Sequence, residues 1–166
     1  MSGTHARSFH VLVAFGVLAL DRLSKWLVAS RLNLHDTITV FPGFFRITHV
    51  ENSGAAFGLF SDSSFEWKLT LLILFSLLAL TVVGVLLWKN SHIVSATGMA
   101  LALILGGALG NLWDRMIAGH VVDFLDFYFG TYHWPSFNVA DSAIVIGAML
   151  LVFDIVFSKT PEHEHV

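Results

Sequence analysis

Apolar residues fall into four long stretches along the chain, separated by shorter segments that mix polar, aromatic and β-branched residues. A bilayer core of about 30 Å is crossed by about 20 apolar helical residues. Residues 9–29, 69–88, 93–112 and 139–157 come close to this length and composition. The pattern therefore predicts four transmembrane helices, and an even number of spans places both chain termini on the same side of the membrane.

The four stretches differ in the polar residues that interrupt them. The first contains Asp21, Arg22 and Lys25, and because three further spans follow it, we interpret it as a retained helix and not as a cleaved signal peptide. The second has no charged residue between its ends, where Trp67 and Trp88 are typical of side chains at a membrane interface. Small residues in the third predict a face that another helix can approach closely, formed by Gly106, Gly107 and Gly110.

Two segments between the spans, residues 37–60 and 119–137, are not helical in composition. The first is rich in β-branched and aromatic residues and is broken by a Pro-Gly and an Asn-Ser-Gly sequence, which predicts short strands and turns. Both segments lie on the same side of the membrane, so we expect them to meet, and the second either adds strands or forms an interfacial lip of aromatic rings. The predicted fold is an all-α integral membrane bundle of four transmembrane helices with a small β-cradle.

Composition supports membrane embedding. Of the 166 residues, 55% are hydrophobic and 13% are charged, and the mean hydropathy of +0.74 is too apolar for a water-soluble domain of this length. No linker divides the chain, so residues 1–166 are predicted to form a single membrane-embedded domain. The formal net charge of −3, without a Lys/Arg cluster, argues against nucleic acid as a partner. Because the chain has no Cys, it can form no disulfide and no cysteine metal site.

The few basic residues outside the spans give little information on orientation. The terminal side carries Arg7, Lys89 and Lys159, and the opposite side carries Arg31, Arg46, Lys68 and Arg115. Taken literally, the positive-inside rule slightly favours termini outside the cell.

Ionisable residues near a membrane are costly unless they are paired or hydrated, so each one is a functional candidate. Asp123 follows the third span and Asp141 opens the fourth, and the chain between them can fold back and bring the two together. Two carboxylates in a poorly hydrated site share a proton, so one activates a water while the other protonates a carbonyl or leaving group. This is the aspartic peptidase mechanism. Spacing alone leaves open a structural alternative, in which the two are a helix cap and a surface carboxylate.

Asn138 and Asp141 are three residues apart and share a helix face. If Asn138 caps the fourth helix, Asp141 lies in the first turn, where the helix dipole favours its ionised form.

Polar residues with helical spacing also occur in the first and third spans. Asn111, Asp114 and Arg115 lie on one face of a helix end. They either present an amide and a guanidinium to a peptide backbone or include a buried Asp-Arg pair. Asp21 and Lys25, one helical turn apart, are expected to form an internal ion pair instead of acting directly in catalysis.

Three other functional interpretations of these residues remain open. A serine peptidase would use Ser24 with Lys25, or Ser53, but adjacent residues on a helix point apart. A metallopeptidase needs ligands such as His-Glu-x-x-His, and the only comparable sequence is His-Glu-His at residues 163–165, which we interpret as a disordered tail. A small transporter or channel would relay protons or bind cations with its carboxylates, but four spans without inverted repeats argue against it.

Five short motifs occur in a fixed order relative to the four spans. They are DRLSK at residues 21–25, ENSGAAFG at 51–58, GNLWDR at 110–115, VVDF at 121–124 and FNVADSA at 137–143. Each motif alone is weakly specific, but together they cover nearly the whole chain. In this combination the sequence resembles the lipoprotein signal peptidases, also called signal peptidase II.

The resemblance implies a membrane aspartic endopeptidase of the bacterial inner (cytoplasmic) membrane. It would remove signal peptides from prolipoproteins by cleaving before the diacylglyceryl-modified cysteine, with no metal and no cofactor. The implied partners are the lipid-modified prolipoprotein, membrane phospholipids and the inhibitor globomycin. Both termini would be cytoplasmic, and the active site and β-cradle would face the periplasm, which reverses the orientation that the charge count favours.

The resemblance also implies roles for individual residues. Asp123 and Asp141 would form the catalytic dyad. Substrate or globomycin would contact Asn52, Asn111, Arg115 and Asn138, and supporting roles would fall to Asp21, Lys25, Gly54 and Asp114. A mobile periplasmic helix is expected near residues 60–67. Asp126 is interpreted as a loop carboxylate without a catalytic role.

Overall fold

The structure is a computed structural model that describes residues 3–54 and 67–157. Its helices are α1 (Gly3–Arg31), α2 (Trp67–Asn90), α3 (Ala96–Ile117) and α4 (Val139–Phe157). Its strands are β1 (Thr37–Phe41), β2 (Phe45–Asn52), β3 (Val121–Phe129) and β4 (Tyr132–His133). The predicted combination of four helices with a small sheet is therefore confirmed within the described residues.

The helices coincide with the predicted apolar stretches but differ at their ends. Helix α4 has the predicted bounds, whereas α1 and α2 extend beyond them. The predicted ends of the third span were wrong. Helix α3 begins at Ala96 because the Ser95 side chain is its N-cap and accepts the N–H of Gly98 over 3.0 Å. It continues to Ile117, so Arg115 lies in its last turn and the face that Asn111, Asp114 and Arg115 share is at the end of the helix, as predicted.

Three helices of the described chain are long and apolar enough to cross a membrane, namely α2, α3 and α4. Much of the surface of α2 is apolar and exposed, with Phe75 and Leu78 at 72% and 62%. Because lipid tails solvate such side chains as well as a protein core does, this surface is the one expected to face the bilayer. Helix α1 has 29 residues, and its Asp21, Arg22 and Lys25 face polar partners described below.

Helix α3 is the central helix, and each of the other three packs against it. Its glycines allow close approach from two sides. A Cβ on Gly106 would lie 2.5 Å from the backbone oxygen of Ala14 in α1, and one on Gly107 would collide with the backbone oxygen of Ala140 in α4. The predicted small-residue face is confirmed, and it brings α1 and α4 close to the same helix.

The strands form one antiparallel sheet in the order β1-β2-β3-β4. Strands β1 and β2 are joined by a turn in which Gly43 has a φ of 79°, a conformation that favours glycine. Strand β2 pairs with β3 from Phe45 opposite Phe127 to Asn52 opposite Val121. The two non-helical segments therefore meet, as predicted. The second segment adds strands and also exposes aromatic rings, among them Phe129, Tyr132 and Trp134.

Two predictions fall outside the described residues. The helix expected near residues 60–67 cannot be compared, except that Trp67 is the first residue of α2. The His-Glu-His sequence at residues 163–165 and residues 55–60 of the expected cradle also lie outside the described chain.

Candidate active site

Asp123 lies on β3 with its side chain buried, only 3% of the residue being exposed. Both carboxylate oxygens accept hydrogen bonds from amides: Oδ2 from Nδ2 of Asn52 at 2.9 Å and Oδ1 from Nδ2 of Asn138 at 2.7 Å. Burial raises the pKa of Asp123 from its ordinary 3.8 to about 6, against the lowering effect of the Asn52 hydrogen bond; the nearby charge of Asp141 raises it further. This carboxyl group therefore exchanges its proton near neutral pH.

Asp141 lies in the first turn of α4, and Asn138 caps that helix as predicted. Oδ1 of Asn138 accepts the backbone N–H of Asp141 at 3.0 Å, and the backbone N–H of Asn138 donates to Oδ2 of Asp141 at 3.3 Å. This reciprocal arrangement is a capping box, in which two otherwise unsatisfied donors are both used. Asn138 thus contacts both Asp123 and Asp141, and the chain between them folds back as expected.

Asn111 of α3 also contacts Asp141. Its Nδ2 donates to Oδ1 of Asp141 at 2.7 Å. Its Oδ1 accepts from Nζ of Lys25 at 2.9 Å and, more weakly, from Nδ2 of Asn138 at 3.4 Å. The three asparagines at residues 52, 111 and 138 therefore direct their NH₂ groups at the two carboxylates.

Asp21 and Lys25 form the predicted ion pair, with Nζ of Lys25 2.8 Å from Oδ2 of Asp21. Lys25 also lies 2.7 Å from Oδ2 of Asp114 on α3. The other oxygen of Asp21, Oδ1, accepts the backbone N–H of Ala140 at 2.9 Å, in the first turn of α4. The pair therefore connects α1 to α3 and α4, next to the residues that hold Asp141. A buried charge cluster of this kind is tolerated because each charge has a partner.

Asp114 has a different partner from the one that the sequence indicated. Its Oδ1 forms a salt bridge with Arg22 of α1, and its other oxygen contacts Lys25. The buried Asp-Arg pair exists, but it joins two helices and does not involve Arg115. Sequence reasoning had singled out Arg22 only as a charge within a span, because no spacing rule reveals a partner on another helix.

Arg115 is partly buried, and its Nη1 donates to the backbone oxygen of Asn111 at 3.5 Å. Within the described residues it forms no salt bridge, although its charge acts through space on Asp141 and Asp123. A guanidinium has five N–H donors, and within the described residues Arg115 makes no other side-chain hydrogen bond. Arg115 is thus placed to donate to a further carbonyl group near the two carboxylates.

Gly54 holds the orientation of Asn52 at the end of β2. Its backbone N–H donates to Oδ1 of Asn52 at 2.9 Å, so that the amide nitrogen of Asn52 faces Asp123. The structure therefore brings together all of the residues that were predicted to contact the substrate or to support the site. They are joined by hydrogen bonds and ion pairs, and Arg115 lies at the edge of the group.

The geometry of the described residues bears on two alternative chemistries. The Ser24 hydroxyl donates to the backbone oxygen of Asp21 at 2.9 Å, while Nζ of Lys25 contacts Asp21, Asp114 and Asn111. Ser24 and Lys25 therefore do not form a serine–lysine pair. Within residues 3–54 and 67–157, no group of three or more His, Asp or Glu side chains is positioned to hold a metal ion.

Asp126 is not a loop carboxylate, so that interpretation was wrong. It lies on β3, is buried, and accepts from Nε of Arg46 on β2 at 2.5 Å and from the ring of His133 on β4 at 3.1 Å. The strand continues through Asp126 because these partners satisfy the carboxylate inside the sheet. Asp126 has no contact with Asp141 among the hydrogen bonds and ion pairs of the described residues.

Apolar helices packed on a central helix, a small antiparallel sheet, and a buried cluster of carboxylates and amides define a membrane protein with an internal polar site. The family described as signal peptidase (SPase) II matches residues 13–157. Proteins named lipoprotein signal peptidase are 48% identical in Solibacter usitatus, over 89% of this chain and 90% of that protein, and 48% identical in Desulforapulum autotrophicum, over 91% and 93%. The chain belongs to the signal peptidase II family.

Solved structures give the same result for the fold. Two of them, each described as a bacterial membrane enzyme, are 30% identical to this chain. One has a TM-score of 0.83 and matches 96% of this chain and 94% of its own. The other has a TM-score of 0.80 and matches 92% of this chain and 95% of its own.

Proposed function

We propose that this protein is a membrane aspartic endopeptidase that removes signal peptides from diacylglyceryl-modified prolipoproteins by cleaving before the lipidated cysteine. In this proposal residues 1–166 form one domain of the bacterial inner membrane, and α1 is a fourth span. Both termini are cytoplasmic, and the sheet and the active site lie at the periplasmic face. Membership of the signal peptidase II family supports the substrate class.

The observation that carries the proposal is the shared contact of Asn138 with Asp123 and Asp141. One amide touches both residues, with its nitrogen 2.7 Å from Oδ1 of Asp123 and its oxygen 3.0 Å from the backbone nitrogen of Asp141. The carboxylates are thus held at one site by a side chain that is itself fully buried. Two carboxyl groups in such surroundings share one proton, which is the starting state of aspartic peptidase chemistry.

The reaction then needs one ionised and one protonated carboxyl group. The ionised group takes a proton from water as the water oxygen attacks the scissile carbonyl carbon, and the protonated group gives its proton to the carbonyl oxygen. When the tetrahedral intermediate collapses, the carbon–nitrogen bond breaks and the amine leaves with the proton taken from water. One hydroxyl of the intermediate returns its proton to the other carboxylate as the new carboxyl group forms, which restores the pair. The raised pKa of Asp123, about 6, suits it to the protonated role, and the first turn of α4 suits Asp141 to the ionised one.

Substrate would be held by hydrogen-bonding groups around the pair. Arg115 has donors without an acceptor among residues 3–54 and 67–157, and the amides of Asn52, Asn111 and Asn138 lie beside the carboxylates. We propose these four residues as the binding site for the peptide backbone and for globomycin. The acyl chains of the substrate would stay in the bilayer and reach the site from the side, because the outward surfaces of the helices are apolar.

The test is cleavage of a diacylglyceryl-modified prolipoprotein by purified protein carrying Asp123→Asn or Asp141→Asn. Asp126→Asn is the matched control, because Asp126 is also a buried carboxylate of β3 but contacts Arg46 and His133. We expect cleavage per folded molecule to be lost in the first two variants and kept in the control. Cleavage that survives in a folded Asp123→Asn or Asp141→Asn variant would refute the aspartic mechanism.

A further inference from the structure

Each amide group beside the two carboxylates has a fixed polarity, which means that its nitrogen and not its oxygen faces the carboxylate. For two of the amides, a backbone N–H group fixes this orientation. The oxygen of Asn52 accepts the N–H of Gly54 at 2.9 Å, and the oxygen of Asn138 accepts the N–H of Asp141 at 3.0 Å. Each NH₂ group is thereby directed at Asp123. The nitrogen and oxygen of an amide are almost equal in size, so only such partners determine which of them faces a carboxylate.

Asn111 is the third amide, and its strongest determinant is a side chain. Its oxygen accepts from Nζ of Lys25 at 2.9 Å, and its nitrogen donates to Oδ1 of Asp141 at 2.7 Å. An ammonium group can only donate, so the oxygen must face Lys25. The second donor to this oxygen, Nδ2 of Asn138, is at 3.4 Å, a weaker contact.

Lys25 itself is in no position to reach a substrate. It is 1% exposed, and its ammonium group donates hydrogen bonds to Asp21 at 2.8 Å and to Asn111 at 2.9 Å. It also forms an ion pair with Asp114, whose Oδ2 lies 2.7 Å away. Any influence of Lys25 on chemistry at Asp141 must therefore pass through a neighbour or act through space.

We propose that Lys25 is a positioning residue that sets the polarity of the Asn111 amide and so keeps its NH₂ group on Asp141. The proposal rests on the catalytic role proposed for Asp141. Without the ammonium group, the Asn111 oxygen loses its strongest donor, so the amide is held less firmly and its N–H contact with Asp141 is weakened or lost. Loss of a hydrogen bond to a charged group then predicts a fall in kcat of about 10- to 100-fold.

The proposal is tested with Lys25→Met, in cleavage assays over a range of pH. The charged groups around the Asn111 contact are Asp21 and Lys25 of α1, Asp114 and Arg115 of α3, Asp123 of β3 and Asp141 of α4. Removal of a donor and a cation from these carboxylates disfavours their ionised state. We therefore expect the acid limb of kcat to move to higher pH, in addition to the fall in kcat.

Arg22→Gln is the matched control, because Arg22 is also a cation of α1 that pairs with Asp114 but makes no hydrogen bond to Asn111. It should leave the acid limb in place. An unmoved acid limb in Lys25→Met, or an equal movement in Arg22→Gln, would overturn the proposal. If Lys25→Met does not fold, the comparison is made between Asp114→Asn and Lys25→Met/Asp114→Asn, where one buried charge of each sign has been removed.

The same assays separate this proposal from the proposed function. Cleavage by a folded Asp141→Asn variant would refute the aspartic mechanism, independently of the result for Lys25→Met. Loss of cleavage in Asp141→Asn, together with an unmoved acid limb in Lys25→Met, would leave the mechanism intact and reject only the positioning role.

Discussion

The amide nitrogen of Asn138 donates to Oδ1 of Asp123 over 2.7 Å, while the oxygen of the same amide caps α4. The two functions of this side chain are separable by substitution. Asn138→Ser keeps an oxygen that is able to cap the helix but has no NH₂ group, and Asn138→Ala keeps neither. We expect both variants to lose about 10- to 100-fold in kcat, because both lack the hydrogen bond to the carboxylate.

Only Asn138→Ala should also lose stability, by about 1 kcal/mol, the usual cost of a missing N-cap. Thermal unfolding in detergent measures this difference. If Asn138→Ser retains full kcat, the contact with Asp123 has no catalytic importance.

The pH dependence of cleavage should respond to Asn52. Its hydrogen bond to Asp123 favours the ionised carboxylate, so Asn52→Ala is expected to raise the pKa of Asp123 above about 6. Since Asp123 is proposed to act in its protonated form, the alkaline limb of kcat should move to higher pH. Glu51→Gln is the control on the same strand, because Glu51 pairs with His120 instead. If the alkaline limb does not move in Asn52→Ala, deprotonation of Asp123 is not the cause of that limb.

The stability of the protein should also depend on the protonation of Asp123. Its pKa is about 6 in the folded protein against an ordinary 3.8, so the folded state binds the proton more tightly than the unfolded state does. The resulting stabilisation is fully present below about pH 4 and is lost as the pH rises through about 6. It amounts to roughly 3 kcal/mol at most.

Asp123→Asn should lack this pH-dependent part of the unfolding free energy. Its overall stability need not rise, because both oxygens of Asp123 accept from amides and an asparagine offers only one oxygen. Unfolding in detergent at several pH values, wild type against variant, gives the comparison. Parallel curves for the two proteins between pH 4 and 6 would contradict the shifted pKa.

Close packing beside Asp21 makes Gly110 sensitive to substitution. A Cβ at this position would lie 2.5 Å from Oδ2 of Asp21 and 3.5 Å from Cβ of Ala140. Gly110→Ala must therefore displace a carboxylate that holds α4, and we expect a loss of about 1–3 kcal/mol in stability together with a lower kcat. Gly84→Ala in α2 is the control, because a Cβ there has no neighbour within 4 Å. Equal stability of the two variants would contradict this account of the packing.

Helices, strands and the helix cap were predictable because their signals are local. The bounds of α4 follow from a long apolar stretch in which Asp141 and Asp154 are the only charged residues, and the cap at Asn138 follows from its spacing to Asp141. The meeting of the two non-helical segments followed from the number of spans, which places both on one side, but their pairing as β2 and β3 was only one of two alternatives. The position of Asp126 within β3 was missed because a charge in an aromatic segment looks like a loop residue until its partners on other strands are known.

The contacts between distant residues were not predictable from spacing. Lys25 and Asn111 are 86 positions apart in the sequence. The sequence also does not reveal which end of an amide side chain faces a given partner. Asp114 was correctly suspected of a buried pair with an arginine, but the partner, Arg22, lies on another helix. Such pairs depend on how α1 and α3 cross, which is set by small residues such as Gly106 and not by the charges themselves.

The hydrogen bond from the backbone of Ala140 to Asp21 joins residues 119 positions apart, in the first and last helices of the described chain. A nascent polypeptide that has not yet inserted its last helix lacks this bond, and also lacks Asp141. On the proposed mechanism, the chain should therefore have no hydrolytic activity until its last helix has inserted and packed against the first.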